Sequence, residues 1–166
     1  QPGLQGFWRF EEPTGKVFDV SGNGLHGTVI GNATRGFAGK VGNAIGFSGT
    51  DGQVKITSSN KLDFSSGATI EFWVQLSSTT QGTILSRGTG TADNHVRIKT
   101  SQGNVNVSFG RAGLAPTTAI TSPNVLSSSW THVAAVNDGV MLRVFVNGNV
   151  ATSATGGSMG TIAADL

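Results

Sequence analysis

The chain has 166 residues, one domain's worth of sequence (1–166) and enough to enclose a sizeable core. Zero cysteines exclude disulfides, thiol nucleophiles and cysteine-type zinc sites, and a net charge of +2 on scattered Lys and Arg excludes a nucleic-acid footprint. No run approaches the roughly 18 apolar residues that span a bilayer. No basic segment followed by an apolar one opens the chain, so an export signal is expected to have been removed already.

Twenty-five glycines against four prolines, with abundant Ser, Thr, Asn and Val, point to short strands joined by tight turns. The segment from Leu4 to Glu12 alternates like a strand, with Phe7 and Arg9 on one side and Trp8 and Phe10 on the other, and Pro13-Thr14-Gly15 ends it. Residues 18–27 form a loop crowded with glycine and side-chain oxygens. Residues 28–33 read as a short strand, 35–40 as loop, 44–47 as strand, and 53–56 as a strand with Val54 and Ile56 inward. A single helical turn around Leu62 and Phe64 is expected within 60–67. Residues 68–76 follow as a strong strand with Ile70, Phe72 and Val74 on one face and Thr69, Glu71, Trp73 and Gln75 on the other. Further strands are expected at 82–87, 96–99, 104–109 and 117–121, with Ser101-Gln102-Gly103 as a hairpin turn between two of them.

Residues 130–148 carry the clearest signal. Residues 130–136 and 140–146 read as the arms of an antiparallel hairpin around Asn137-Asp138-Gly139, whose residues tolerate positive φ. Val140, Leu142, Val144 and Val146 are expected to face the core, with Met141, Arg143 and Phe145 opposite. Asn147-Gly148 reverses the chain again towards Val150. No segment shows helical periodicity beyond about two turns, so the chain reads as all-β, a sandwich or a barrel.

The order of short motifs has a counterpart. Phe7-Trp8-Arg9-Phe10 is followed by Asp19-x-Ser21-Gly22-Asn23-Gly24-x-His26-Gly27 and by Gly39-Lys40-x-Gly42-Asn43-Ala44-x-x-Phe47-x-Gly49. Thr69-Ile70-Glu71-Phe72-Trp73-Val74, Ile84-Leu85-Ser86, Trp130-x-His132-Val133-Ala134 and Phe145-Val146-Asn147-Gly148 complete the series. The whole resembles a laminin G-like domain of the concanavalin A-like lectin/glucanase superfamily. The resemblance implies a two-sheet antiparallel jelly-roll sandwich, secreted or at the cell surface, with a structural calcium ion and attachment to enzymes or adhesins. Two departures stand out. Ser48 replaces the aspartate of the family's Phe-Asp-Gly, and the chain stops at Ala163-Ala164-Asp165-Leu166 before the family's last strand. Either the chain as given is cut short or a partner strand completes the sheet beside Leu4 to Glu12, an edge expected to associate.

The residues suggest binding rather than catalysis. No two of the nine carboxylates share a strand face at i, i+2 spacing, whereas glycosidases need an acid pair. His26, His95 and His132 are scattered without triad partners and read as structural. The chain is therefore expected not to be an enzyme. Calcium takes six to eight oxygens from tight loops, and Asp19, Asn23 and Asp51 in two glycine-rich loops are the expected ligands; Asp19 and Asn23 read equally as formers of Asx-type turns. Trp73, Glu71, Arg97, Arg143 and Phe145 are expected on a ligand-binding sheet face, since aromatic planes stack on sugar rings and Arg forks hold carboxylates or hydroxyls; Trp73 and Phe145 read also as ordinary core residues, and Glu71 as an ordinary sheet-face residue. The expected role is a non-catalytic carbohydrate-binding or adhesion module, with a glycan or polysaccharide as partner and no nucleic acid or membrane insertion. The alternative is a structural or protein-interaction module with an open sheet edge. Asn32-Ala33-Thr34 and Asn106-Val107-Ser108 match the glycosylation acceptor pattern, which matters only in a eukaryotic secretory pathway.

Overall fold

A computed structural model describes residues 3–57, 59–64, 66–78, 81–88, 95–111 and 114–156. The chain divides into two units, one built from Gln1–Leu62 and the other from Asp63–Ile162. The terminal residues 163–166 lie outside the described residues, as does the side chain of His95.

In the first unit, β1 (Gly27–Ile30), β2 (Ala33–Ala38), β3 (Asn43–Phe47) and β4 (Gln53–Ile56) form two antiparallel pairs, β1 with β4 and β2 with β3. Gly31, with φ at +67°, makes the tight passage from β1 to β2, and a Cβ there would collide with the Asp51 carbonyl. Residues 35–40, expected as loop, belong largely to β2. The register slips between Arg35 and Phe37, and Gly36 sits there at φ +78°, the conformation of a glycine bulge. The glycines that suggested a loop mark a kink within a strand.

The segment from Leu4 to Glu12 is not the expected strand. Its ladder is confined to an isolated bridge between Trp8 and Asp19, and Phe10 at φ 60° breaks the extended run. It is held by side chains instead: the Trp8 indole N–H donates to the Leu25 carbonyl at 2.7 Å, and its ring lies over Gly6, where no Cβ could fit. A continuous edge for a docking strand is therefore absent from the described residues of this segment. A 3-10 turn at Asn60–Leu62 provides the expected helical turn and buries Leu62.

The second unit is a sandwich of two four-stranded antiparallel sheets. Its strands are β5 (Ala68–Val74), β6 (Gly82–Gly88), β7 (His95–Thr100), β8 (Asn106–Arg111), β9 (Leu114–Ile120), β10 (Thr131–Asn137), β11 (Met141–Val146) and β12 (Asn149–Thr155). One sheet has the order β12-β11-β10-β5 and the other β6-β7-β8-β9. Their apolar faces supply the core: Val133, Ala135, Leu142 and Val144 from the first, and Val96, Ile98, Val107 and Phe109 from the second, are all 0% exposed. Arg87 is buried among them on β6, its guanidinium 5.4 Å above the Phe64 ring.

The hairpin expected at 130–146 forms with the pairs Val133↔Val146, Ala135↔Val144 and Asn137↔Leu142. Val140 departs from expectation and is exposed. Asp138 accepts hydrogen bonds from the Val140 and Met141 N–H groups at 2.9 and 2.7 Å, which holds Val140 in the turn and starts β11 one residue later. Asn147 and Gly148, at φ 49° and 83°, make the tight turn into β12.

Candidate functional site

Alternation along β5 turns Ile70, Phe72 and Val74 inward and leaves Thr69, Glu71 and Trp73 on the outer face of the sheet β12-β11-β10-β5. Trp73 is 45% exposed, so it is a surface residue and not part of the core. Register sets its surroundings. Trp73 pairs with His132 on β10, and the two rings lie 5.2 Å apart, tilted by 56°. The His132 Nε2 is 3.8 Å from a Glu71 carboxylate oxygen, an ion pair whenever the imidazole is protonated. In the next row Glu71 faces Ala134, which faces Phe145 on β11. The small Ala134 gives that row a low floor between a carboxylate and an aromatic ring.

Arg143 shares this face one row further on, opposite Val136. It is two rows of this face, four residues along β10, from Trp73 and His132, or roughly 13 Å along the strands. Its guanidinium is engaged at the hairpin turn, where Nη1 lies 2.6 Å from Asp138 Oδ2. The Met141 N–H, the Arg143 guanidinium and the Val140 N–H together hold the Asp138 carboxyl at about 2. Arg143 therefore braces the end of the face, while Trp73, His132, Glu71 and Phe145 form its centre.

Arg97 stands apart from these four. It lies on β7 in the other sheet, paired with Ser86 and Ser108, on that sheet's outer face. His132, read from the sequence as structural, was not placed on this face, because its proximity to Trp73 follows from the register between β5 and β10, in which the paired Trp73 and His132 are 59 positions apart.

The three expected calcium ligands are committed elsewhere. The Asp19 carboxylate is 6% exposed and accepts the N–H groups of Phe7, Ser21 and Leu25 at 2.9, 2.9 and 3.0 Å. Burial raises its pKa, but hydrogen bonds from Ser21, Phe7 and Leu25 more than reverse that and leave it at about 2. Asn23 turns its side-chain amide N–H groups to the Leu4 and Gln5 carbonyls, and its main-chain carbonyl accepts the Lys61 ammonium at 3.0 Å. Asp51 receives the Asn32 side-chain amide at 3.0 Å. Oxygens already facing N–H donors and an ammonium do not fit a calcium site. Among the described residues no group of three or more His, Asp or Glu side chains is placed to hold a metal ion.

The sequence over residues 48–165 matches a laminin G family model described as the concanavalin A-like lectin/glucanases superfamily. The chain belongs to this family. Curated proteins offer no matching sequence. Solved structures do resemble this laminin G-like chain in fold. The binding domain of paraclostridial mosquitocidal protein 1 has a TM-score of 0.72 at 18% identity, over 96% of this chain and 42% of that one. Domain 4 of an extracellular arabinanase from Geobacillus stearothermophilus, in complex with arabinotriose, has a TM-score of 0.64 at 20% identity, over 89% of this chain and 75% of that one. The binding domain of botulinum neurotoxin DC, in complex with SialylT, has a TM-score of 0.69 at 15% identity, over 90% and 40%. The chain thus spans under half the length of the toxin binding domains it resembles. The fold is the one the sequence motifs imply, an all-β, two-sheet antiparallel jelly-roll sandwich. No helix among the described residues of this laminin G-like chain is long and apolar enough to cross a membrane.

Proposed function

We propose that this chain is a non-catalytic carbohydrate-binding module of a secreted or cell-surface protein, and that it holds saccharide on the outer face around Trp73. The observation that carries this reading is the 45% exposed Trp73 ring, fixed on a paired strand beside His132. A large apolar plane kept in water has no share in core packing, but a sugar ring can lie against it. His132 and Glu71 supply a donor and an acceptor at its edge for sugar hydroxyls, and Phe145 offers a second apolar surface a row away. Glu71 is the single carboxylate carried by β5, β10, β11 and β12. Glycoside hydrolysis by the usual routes needs two, so binding without chemistry is the reading this face supports. The arabinotriose bound to the structurally similar arabinanase domain favours the same class of ligand.

An open face buries little of a ligand and displaces well-hydrated hydroxyls, so binding should be weak, with Kd of order micromolar to millimolar, roughly −8 to −4 kcal/mol. Display on a glycan array, followed by titration of the best neutral hits against Trp73→Ala, tests the proposal. Loss of binding with the fold intact supports it. A folded Trp73→Ala variant that binds as well as wild type overturns the site.

A further inference from the structure

The other four-stranded sheet has an outer face of different chemistry. On β7, Arg97 and Lys99 point the same way at i, i+2 spacing, because Val96, Ile98 and Thr100 turn into the core. Directly opposite on β8 stand Ser108, paired with Arg97, and Asn106, paired with Lys99. Thr118 on β9 pairs with Ser108, its hydroxyl 3.4 Å from the serine oxygen. These five side chains line a cleft of about 220 Å³. None of them is acidic, although the chain has only eleven Lys and Arg to distribute.

Two cations held side by side with no carboxylate among the described lining residues repel each other, and an anion between them removes that repulsion. The Arg97 guanidinium is a planar fork suited to a carboxylate, Lys99 adds a point charge, and the amide and hydroxyls around them match sugar hydroxyls. Among the described residues no aromatic ring lines the cleft to stack a nucleobase, and two cations are few for a phosphate backbone. At 220 Å³ the cleft is smaller than the roughly 300–1,000 Å³ of pockets that engulf a ligand, so it suits one charged ring of a longer chain.

We propose that this cleft is a second saccharide site, selective for acidic sugars whose carboxylate or sulfate lies on Arg97 and Lys99 while ring hydroxyls meet Asn106, Ser108 and Thr118. It is independent of the Trp73 face, in place and in ligand charge.

The test is a titration followed by amide NMR with three probes of equal length: a galacturonate oligomer, a sulfated neutral oligomer and an uncharged arabinose oligomer. The expected result is that the charged probes shift the Asn106 and Ser108 amides and the uncharged one does not, with binding that weakens as salt rises from about 20 to 200 mM. Preference for the galacturonate assigns the Arg97 fork as the selective element, and equal binding of both assigns charge. Arg97→Gln with Lys99→Gln, both outward positions, should weaken charged-probe binding at least tenfold with an unchanged amide fingerprint elsewhere. If that variant loses its fold, Ser108→Ala alone is expected to weaken binding several-fold. No binding of either charged probe at low salt overturns the proposal, as does unchanged binding by a folded double variant. Trp73→Ala is run alongside and should leave charged-probe binding intact. If it abolishes that binding, the charged sugars sit on the Trp73 face and the second site is wrong, whereas loss of neutral binding alone concerns the Trp73 reading.

Discussion

The two units keep their polar residues for different purposes. In the first unit, two-stranded ladders are short, and side chains hold the connecting loops: Asp19 gathers three backbone N–H groups, Asn23 grips two carbonyls, and Arg35 reaches the Glu12 carbonyl at 2.8 Å. In the second unit, backbone ladders four strands wide carry that load, and the outward side chains of β5, β7, β8 and β10 are left for other work. Polar residues that look like a site in a glycine-rich loop can be the loop's own scaffold. Residues on the outside of a sheet that already has its ladders and core are better candidates for recognition.

The difference can be broken at four places. Leu142→Ala removes a fully buried side chain between the sheets of the second unit and should cost about 2–5 kcal/mol in denaturant unfolding. A cost under about 1 kcal/mol would mean that the sandwich interior is not what holds this unit.

Asp19→Asn should cost about 2 kcal/mol at neutral pH, from a carboxyl lowered from 3.8 to about 2. The sign follows from the depressed folded value: the ionised carboxylate stabilises the protein above the unfolded value near 4, and this contribution is lost as pH falls towards 2. Stability curves of wild type and variant should therefore converge between about pH 4 and pH 2. Parallel curves across that window would show that Asp19 does not act through its charge.

Trp73→Ala should leave unfolding free energy within about 1 kcal/mol of wild type, as at other half-exposed surface positions. A cost of about 3–5 kcal/mol is the core value for an aromatic, and would mean that the ring is buried. The smallest effect concerns calcium. With the Asp19 and Asp51 carboxylates committed to N–H donors, and Asn23 tied by its amide N–H groups to the Leu4 and Gln5 carbonyls and by its main-chain carbonyl to Lys61, the melting temperature should move by no more than about 1 °C between EDTA and millimolar calcium. A rise of several degrees with calcium would show that these loops rearrange to take the ion.

The second unit was largely legible from the sequence. Alternation in 68–76 and 130–146 coincided with real ladders, and Gly139, Asn147 and Gly148 took the positive φ expected of turn residues. The first unit misled for a physical reason. Residues 4–12 alternate because Trp8 and Phe10 are half-buried, but the burial comes without a partner strand. Gly36 reads as a loop residue and is a bulge. Carboxylates beside glycines look alike whether they hold a cation or an Asx-type turn, and only the N–H groups around Asp19 tell them apart. On the sheet faces, Trp73 and Glu71 could be placed from one strand's own pattern. Their neighbour His132, and the grouping of Arg97 with Lys99, Asn106 and Ser108 in place of Trp73, depend on which strands lie side by side.

The most direct measurement is an NMR titration of the neutral saccharide that binds best, read at the Trp73 indole N–H and the His132 and Glu71 amides, with Trp73→Ala as the comparison. Shifts confined to these positions and their β10 and β11 neighbours, saturating in wild type and absent from the folded variant, are the predicted result. Saturating shifts that leave Trp73 and His132 unmoved, or that persist in Trp73→Ala, would contradict a saccharide site on this face.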